Sequence, residues 1–421
     1  MTDLAWIDGA LTAARPQAVG ALLRYFRDLD LAEEAFQDAC LRALKTWPQQ
    51  GPPRDATAWL IMVGRNAAID QTRRRSRQTA LPDEDQLSDL DDVEAPMAER
   101  LDTAHYRDDV LRLLFICCHP DLPATQQIAL ALRIVSGLSV PQIARAFLVS
   151  EAAMEQRITR AKGRIAKADV PFEAPGPVER SERLAAVAAM IYLVFNEGYS
   201  AGAVDDERAA LPIEAIRLAR LLLRLFPAEP EIMGLLALML LHHSRAAARF
   251  DPEGQIILMD DQDRRLWNRD MIGEGLALID KAIRHRRRGP YQVKAAIAAL
   301  HARAVTPDDV DWPQIDALYQ ALEVMEPSPI VTLNRAVAVS KTRGPEAALT
   351  MIAPLEGPLS GYFNYFGAKG ALLKQLGRAA EARAAFDQAI SLADTPAQAA
   401  HIRSHLDQLS RDAAAAAAAR K

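Results

Sequence analysis

The chain has 421 residues, of which half are apolar and a quarter are charged, and its formal net charge is −5. This composition excludes a disordered chain, a collagen-like fibre and a disulfide scaffold, and the length predicts two or three domains. Only three cysteines are present, no basic and apolar leader opens the sequence, and no apolar run approaches the roughly 20 residues of a membrane span. We therefore expect a cytoplasmic protein with no membrane partner.

Two breaks in the sequence pattern divide the chain. Residues 81–109 hold 11 acidic and 2 basic side chains, which is typical of an acidic flexible linker. Residues 169–182 are rich in proline, which forbids a continuous helix and predicts a second linker. The parts that remain are three predicted domains and an alanine-rich tail: 1–80, 110–168, 183–410 and 411–421.

The first domain is predicted to be helical. Apolar side chains return every three or four residues between Leu31 and Trp47 and again in residues 59–74. In the first of these segments they are Leu31, Ala35, Phe36, Ala39, Cys40, Ala43, Leu44 and Trp47. No part of the chain shows several short segments in which apolar and polar residues alternate, as they do in β-strands. We therefore predict an all-α fold.

An arginine cluster follows the second of these helices, at Arg73, Arg74, Arg75 and Arg77. Cations at a helix C-terminus stabilise the helix dipole, so a solvated helix end explains the cluster without any ligand. The alternative is a phosphate-binding surface. That interpretation gains weight from a second basic site in the middle of the chain.

The second basic site lies in a predicted helix-turn-helix. Ser139 precedes a short apolar helix, and Ser150 precedes a longer one, and serine is a preferred N-cap. The longer helix carries five basic residues, Arg157, Arg160, Lys162, Arg164 and Lys167. Such a unit places its second helix in the DNA major groove. An ordinary helical hairpin with a solvated basic face is the alternative.

The charge distribution agrees with two nucleic-acid-binding domains. Residues 1–80 and 110–168 together carry 19 basic and 12 acidic side chains. The mildly acidic total is therefore an average over basic domains, an acidic linker and an acidic C-terminal part, and it does not argue against binding to DNA.

Three segments resemble the extracytoplasmic-function (ECF) group of bacterial sigma factors. They are DLAEEAFQDACLRALKTW at 30–47, WLIMVGRNAAIDQTRRRSR at 59–77 and the helix-turn-helix within 122–166. The resemblance implies a first domain, sigma region 2, that binds core RNA polymerase and the −10 promoter element. It also implies a later domain, sigma region 4, that binds the −35 element. The expected partners are therefore core RNA polymerase and promoter DNA, with no cofactor and no enzymatic activity.

The same resemblance assigns residues to each partner. The residues implied to bind core polymerase are Glu33, Glu34, Gln37, Asp38, Arg42 and Lys45. Those implied at the −10 element are Arg65, Asn66, Asp70, Arg73, Arg74, Arg75 and Arg77. Those implied at the −35 element are Ser150, Glu151, Ala153, Glu155, Gln156, Arg157, Arg160, Lys162 and Arg164.

The C-terminal part resembles one subgroup of these factors, in which a helical extension related to tetratricopeptide (TPR) repeats follows region 4. The matching phrases include LVFNEGY at 193–199 and LMDDQDRRLWNR at 258–269. Repeat arithmetic agrees, because Ala336 and Ala348 lie 34 residues before Gly370 and Ala382. We expect two sigma domains followed by a TPR-like repeat domain that modulates activity and binds a protein regulator.

Two metal-site interpretations and two other functions stay open at this point. Cys117, Cys118 and His119 lack the ligand spacing of a zinc site, which favours buried packing. His242 and His243 with the aspartates near 260–263 suggest a metallohydrolase, and a polar network between helices is the simpler account. The alternative functions are a helix-turn-helix regulator with a helical sensory domain and an enzyme in the C-terminal part.

Overall fold

The computed structural model of the protein describes residues 5–76, 103–147, 149–167, 177–199, 210–393 and 396–418. Within those ranges every regular element is a helix, and extended backbone pairs only in an isolated bridge between Phe250 and Ile256. The all-α prediction is therefore confirmed. The helices group into two compact units, Met1–Glu197 and Gly198–Lys421. In the described part of the chain, no helix combines the length and the apolar character that a membrane span requires.

The first unit begins with a bundle of three helices, α1 (Ala5–Phe26), α2 (Leu29–Gln50) and α3 (Ala56–Ser76). Close packing of α3 on α2 depends on Gly64, since a Cβ atom there would lie 2.7 Å from the carbonyl oxygen of Ala35. The absence of a Cβ atom at Gly64 thus allows the backbones of the two predicted binding helices to come close together.

Four further helices of this unit contain the predicted helix-turn-helix, and a fifth, which ends at Tyr199, follows them. A π-helical turn, Leu132–Ser136, separates the second and third of them and ends at Gly137, which has φ 78°. The five helices are α4 (Thr103–Cys117), α5 (Ala124–Ala131), α6 (Val140–Ala146), α7 (Glu151–Lys167) and α8 (Pro177–Tyr199).

Helix α8 begins inside the segment that we predicted to be a linker. Proline at the first helical position is tolerated, because its missing N–H has no intrahelical partner there, and its fixed φ suits a helix. Pro177 starts α8, so the prolines limit the helix on its N-terminal side without excluding it from residues 177–182. The Arg183 guanidinium lies 5.8 Å from the Phe115 ring centroid, which joins α8 to α4.

The second unit is a succession of helices that pack mainly on helices one or two positions further along the chain. Its most buried helix is α10, in which every residue from Ile232 to Leu241 is shielded from solvent. The ten helices are α9 (Ala210–Leu225), α10 (Pro230–His243), α11 (Arg269–Arg284), α12 (Pro290–Arg303), α13 (Trp312–Met325), α14 (Pro329–Arg343), α15 (Pro345–Ile352), α16 (Phe363–Gln375), α17 (Ala379–Ser391) and α18 (Pro396–Ala418).

The residues that we placed at repeat positions lie in one apolar core formed by α14 to α18. Ala336 and Ala348 are buried there, as are Ala382 and Phe386. Gly370 faces the Phe386 ring so closely that a Cβ atom would lie 2.5 Å from it. Small residues at these positions therefore let successive helices approach, which is the packing that a helical repeat requires.

Candidate nucleic-acid interface

The helix-turn-helix forms as its caps predict. Ser139 makes a capping box with Gln142, in which the Ser139 N–H donates to Oε1 of Gln142 at 2.9 Å and the Gln142 N–H donates to Oγ of Ser139 at 3.4 Å. The backbone N–H of Ala153 donates to Oγ of Ser150 at 3.2 Å and so begins α7. The prediction that both serines are N-caps is confirmed.

Helix α7 buries one face and exposes the opposite one. Met154, Ile158 and Ala161 point into the domain core at helical spacing and pack α7 against α5 and α6. Most of the residues predicted to contact the −35 element lie on the other face; the half-buried one among them is Arg157, and the exposed ones are Ser150, Glu151, Ala153, Glu155, Gln156, Arg160 and Arg164. A helix with a free polar face of this size is able to enter a major groove.

The residues of α2 that we predicted to bind core polymerase are exposed or half-buried, with one exception, Glu33. Glu34, Gln37 and Lys45 are exposed, and Asp38 and Arg42 are half-buried. Glu33, which we predicted to be exposed, is only 4% exposed. It turns away from solvent because three cations of the same unit surround its carboxylate.

The exposed face of α2 also carries leucines. Leu31 and Leu44, which belong to the apolar set at helical spacing, are 41% and 48% exposed, and Leu41, on which we made no prediction, is 60% exposed. The buried set is Ala32, Ala35, Phe36, Ala39, Ala43 and Trp47. Exposed leucines between charged residues make a mixed surface that is suited to protein contact. In the sequence, these leucines lie on both sides of the apolar stripe of the helix, and this position was the signal of a contact surface that our prediction missed.

Three cations surround the carboxylate of Glu33. The Glu33 carboxylate lies 3.3 Å from an Nη2 atom of Arg15, 3.1 Å from Nε of Arg133 and 2.9 Å from Nζ of Lys162. Lys162 also lies 2.6 Å from Oδ1 of Asp30. Burial lowers the pKa of Arg15 although the charge of Glu33 opposes this effect. Burial also acts to lower the pKa of Lys162, but its bonds to Asp30 and Glu33 outweigh burial and raise it.

This network joins the two predicted sigma domains. Arg15, Asp30 and Glu33 belong to the first bundle, whereas Arg133 and Lys162 belong to the helix-turn-helix domain. Lys162, predicted to hold a −35 phosphate, is therefore bound to carboxylates of the predicted polymerase-binding helix. The structure brings together one residue from each of two sites that we had predicted separately.

The −10 residues lie along α3. Arg65 and Asn66 are exposed, and the Arg65 guanidinium lies 4.8 Å from the centroid of the Tyr25 ring. Tyr25, to which the sequence pattern assigned no role, is half exposed and packs edge-to-face on Phe26. An aromatic ring beside an arginine is a surface on which an unstacked base binds. Asp70, Arg73, Arg74 and Arg75 continue the α3 backbone, and Arg77 lies outside the described residues.

The cysteine pair is buried, as predicted. Cys117 and Cys118 lie in the core, and burial raises the pKa of the Cys118 thiol to about 12 and that of Cys117 well above its ordinary value. Cys40 is half-buried, and burial raises its pKa to about 11.

These thiols should resist alkylation in the folded protein. A raised pKa lowers the thiolate fraction, and the thiolate is the reactive form. At pH 8, we expect iodoacetamide to leave Cys117 and Cys118 unmodified in native protein and to modify both in 6 M guanidinium, as measured by peptide mass spectrometry. Rapid modification of either one in native protein would contradict their burial.

Acidic and other polar side chains of the second unit pair with its arginines and lysines in a polar network. Asp263 pairs with Arg265 at 2.7 Å, and Asp260 lies 3.5 Å from Nζ of Lys341. The Tyr199 hydroxyl accepts a bond of 2.5 Å from Arg245. Among the described residues, no three histidine, cysteine or acidic side chains are close enough to share a metal ion. A polar network at this place predicts that Asp263 pairs with Arg264 or Arg265, and the pair with Arg265 forms.

Two histidines beside this network predict acid sensitivity. Burial lowers the pKa of His242 to about 3 and that of His301 to about 4, and the charge of Arg245 acts in the same direction. The unfolded chain then binds protons that the folded chain excludes, so stability should be complete above about pH 6.5 and fall as the pH drops toward 4. Urea unfolding at a series of pH values measures this. His242→Gln should flatten the profile, whereas His285→Gln, at the end of α11, should not.

Comparison with known proteins identifies these domains. Sigma-70 region 2 matches residues 11–78, sigma-70 region 4 matches residues 112–165, and a family of unknown function, DUF6596, matches residues 183–283. The presence of both regions, in this order, supports a sigma-70-family factor. It is 70% identical over 418 residues to an uncharacterized protein of Rhizobium meliloti (strain 1021), and the match covers 99% of each chain. No solved structure matches significantly.

Proposed function

We propose that the protein is an ECF-type sigma factor, which binds core RNA polymerase and directs it to a promoter with two elements. It acts in the cytoplasm and performs no covalent chemistry. The observation that supports this most directly is the succession of three exposed helical faces on α2, α3 and α7. Each of them carries residue types that suit the partner assigned to it by family resemblance.

The three faces differ in chemistry. The α2 face mixes leucines with both signs of charge and suits a protein partner. On α3, Arg65 beside Tyr25 suits an unstacked base, and on α7 the exposed Gln156 and Arg160 suit a base edge and a phosphate. Glu155 lies on the same face, where its carboxylate is able to accept a hydrogen bond from a cytosine amino group.

Run-off transcription tests the proposal. Full-length protein and core RNA polymerase are incubated with fragmented genomic DNA, and the 5′ ends of the transcripts are mapped. We expect transcripts that require the protein and share two upstream elements. DNA binding without polymerase-dependent transcription would overturn the proposal and favour a helix-turn-helix regulator.

Removing a phosphate contact from α7 should weaken DNA binding without changing its sequence preference. Arg160 is exposed on α7, so Arg160→Ala should lower the slope of log K against log salt concentration by about 1. Fluorescence anisotropy with −35 DNA at several salt concentrations measures the slope. Arg284→Ala, an exposed arginine of α11, is the matched control, and an equal slope in both variants would contradict the assignment.

We further propose that the second unit is a TPR-like extension that modulates this activity through protein contacts. The 34-residue spacing of buried alanines and the close pairs α14–α15 and α16–α17 support it. A chain that ends at Tyr199 retains all of α8, whose buried side chains belong to the first unit. We expect its promoter-dependent transcription to differ from that of the full chain by severalfold. Equal activity of the two chains, both folded by circular dichroism, would overturn the modulating role.

A further inference from the structure

We propose that the second unit binds the phosphate group of a small molecule through three arginines, Arg245, Arg249 and Arg264, which we call the arginine cluster. The cluster lies between α10 and α11, in a stretch that includes the phrase LMDDQDRRLWNR and to which the proposed function gives no role. Phosphate binding is measured without polymerase or DNA, so it is tested independently of the proposed function.

Two of the three arginines hold the same tyrosine. Arg245 donates to the Tyr199 hydroxyl at 2.5 Å and to Oε1 of Gln262 at 3.1 Å, and Arg249 donates to the Tyr199 carbonyl oxygen at 2.6 Å. The Arg249 guanidinium also lies 3.7 Å from the centroid of the Tyr199 ring. Both arginines are half-buried, and burial together with the charge of Arg245 lowers the pKa of Arg249. Two cations are thus fixed near each other by partners that are all neutral.

Arg264 is the third cation of the cluster and is only 8% exposed. Its Nη1 atom donates to the carbonyl oxygens of His301 and Ala304 at 2.7 and 2.8 Å, and its guanidinium lies 4.6 Å from the centroid of the Trp267 ring. Within the described residues, its Nε and Nη2 atoms are shielded from solvent and have no hydrogen-bond acceptor. Shielded donors of a charged group are costly when they lack an acceptor, so this site is short of negative charge.

The carboxylates near the cluster do not neutralise it. Burial lowers the pKa of Arg264, and the charges of Asp260 and Asp309 oppose this effect without forming an ion pair to it in the described part of the chain. Asp260 is exposed and pairs with a lysine of α14. The low pKa values of His242 and His301 keep both of these neighbours neutral at pH 7. The local balance of charge is therefore positive, and a bound anion offsets it.

A phosphate group suits this cluster better than a carboxylate does. It carries a charge of about −1.5 to −2 at pH 7 and three strong acceptor oxygens, whereas a carboxylate carries a single charge. Arginine binds phosphate through paired N–H groups. We expect the phosphate oxygens to contact Arg245 and Arg249, which are partly open to solvent. Arg264 is shielded, and its charge adds to the attraction through the protein interior, where screening by salt is weak.

Calorimetric titration of the full-length protein with inorganic phosphate, in chloride buffer of constant ionic strength at pH 7.5, tests the site. We expect saturable binding that Arg245→Gln weakens about ten- to a hundredfold, which is the effect of losing one charge-assisted hydrogen bond. Arg265→Gln is the matched control, because Arg265 is exposed and already pairs with Asp263 at 2.7 Å. The DNA-binding arginines of the first unit are present in both variants, so equal phosphate affinity of the two would overturn the site.

A second variant supplies the missing negative charge from within the chain. Gln262→Glu keeps the size of the side chain and places a carboxylate where Oε1 accepts from Arg245, although it loses the bond from Nε2 to the Ile257 carbonyl oxygen. With folding verified by circular dichroism, we expect it to weaken phosphate binding at least tenfold. Gln388→Glu adds the same charge at an exposed position of α17 and should not. Unchanged affinity in Gln262→Glu contradicts the proposal.

Competition distinguishes the possible sources of the anion. Glycerol phosphate should displace inorganic phosphate at a similar concentration, because the phosphate group itself is recognised and an organic remainder is accepted. Acetate at that concentration should not displace it, since one negative charge offsets only one of the arginines. Displacement by acetate as effective as that by glycerol phosphate would show that the site does not select phosphate.

Discussion

Replacing Glu33 with glutamine should lower the free energy of unfolding of the first unit by about 2 kcal/mol. Removing one member of a buried ion pair commonly costs about 3–5 kcal/mol, because the remaining charge loses its partner but stays desolvated. The expected value is smaller here, since Lys162 retains Asp30 and Arg15 retains bonds to the carbonyl oxygens of Ile134 and Arg133.

Urea unfolding of the full-length protein, followed by tryptophan fluorescence, measures this change, since the tryptophans Trp6, Trp47 and Trp59 form one cluster in the first bundle. Glu34→Gln removes the same charge from the exposed neighbouring position and should change the free energy of unfolding by no more than about 0.5 kcal/mol. Equal effects of the two substitutions would mean that the burial of Glu33 contributes nothing to stability.

The parts of the site that could be predicted from the sequence are those held by contacts between near neighbours in the chain. The helix-turn-helix is of this kind, and the surroundings of Glu33 are not. Ser139 and Ser150 begin their helices through bonds to residues three positions further along the chain. Such bonds depend only on local sequence, so a short pattern is enough to predict them. The turn and the buried face of α7 follow from the same local information.

Glu33 lies at the edge of the apolar stripe of α2, next to Ala32 and Phe36, and helical periodicity alone leaves its environment undecided. Its burial depends on Arg133 and Lys162, which are about a hundred or more positions away in the sequence. The exposure of Leu31 and Leu44 has the same origin, because the buried face of α2 depends on where α1 and α3 pack. Long-range partners therefore decide the features that the sequence did not reveal.

In the second unit, Gly234→Ala should be strongly destabilising although alanine is the better helix former. A Cβ atom at Gly234 of α10 would lie 2.6 Å from the backbone nitrogen of Gln292, at the start of α12. A flexible side chain is able to rotate away from such a contact, whereas a helix backbone cannot. We expect a loss of about 2–3 kcal/mol from overpacking, which exceeds the gain of about 1 kcal/mol in helix propensity.

The effect should reach the polar network of the second unit. Helix α12 carries His301, whose carbonyl oxygen accepts a bond of 2.7 Å from the buried Arg264. Because α10 ends at His242 and His243, displacement of α12 from α10 changes the surroundings of Arg264 and of His242 and His301 together. Gly234→Ala should therefore also weaken the pH dependence of stability, because less burial of His301 brings its folded-state pKa closer to its ordinary value.

Gly273→Ala is the matched control for this prediction, since Gly273 lies in the neighbouring helix α11 and a Cβ there meets no atom within 4 Å. It should leave stability unchanged or raise it by up to about 1 kcal/mol through helix propensity alone. Thermal unfolding of the two full-length variants, followed by circular dichroism at 222 nm, compares them directly. If Gly234→Ala unfolds at the same temperature as Gly273→Ala, the close approach of α10 and α12 is not what holds the core of this unit together.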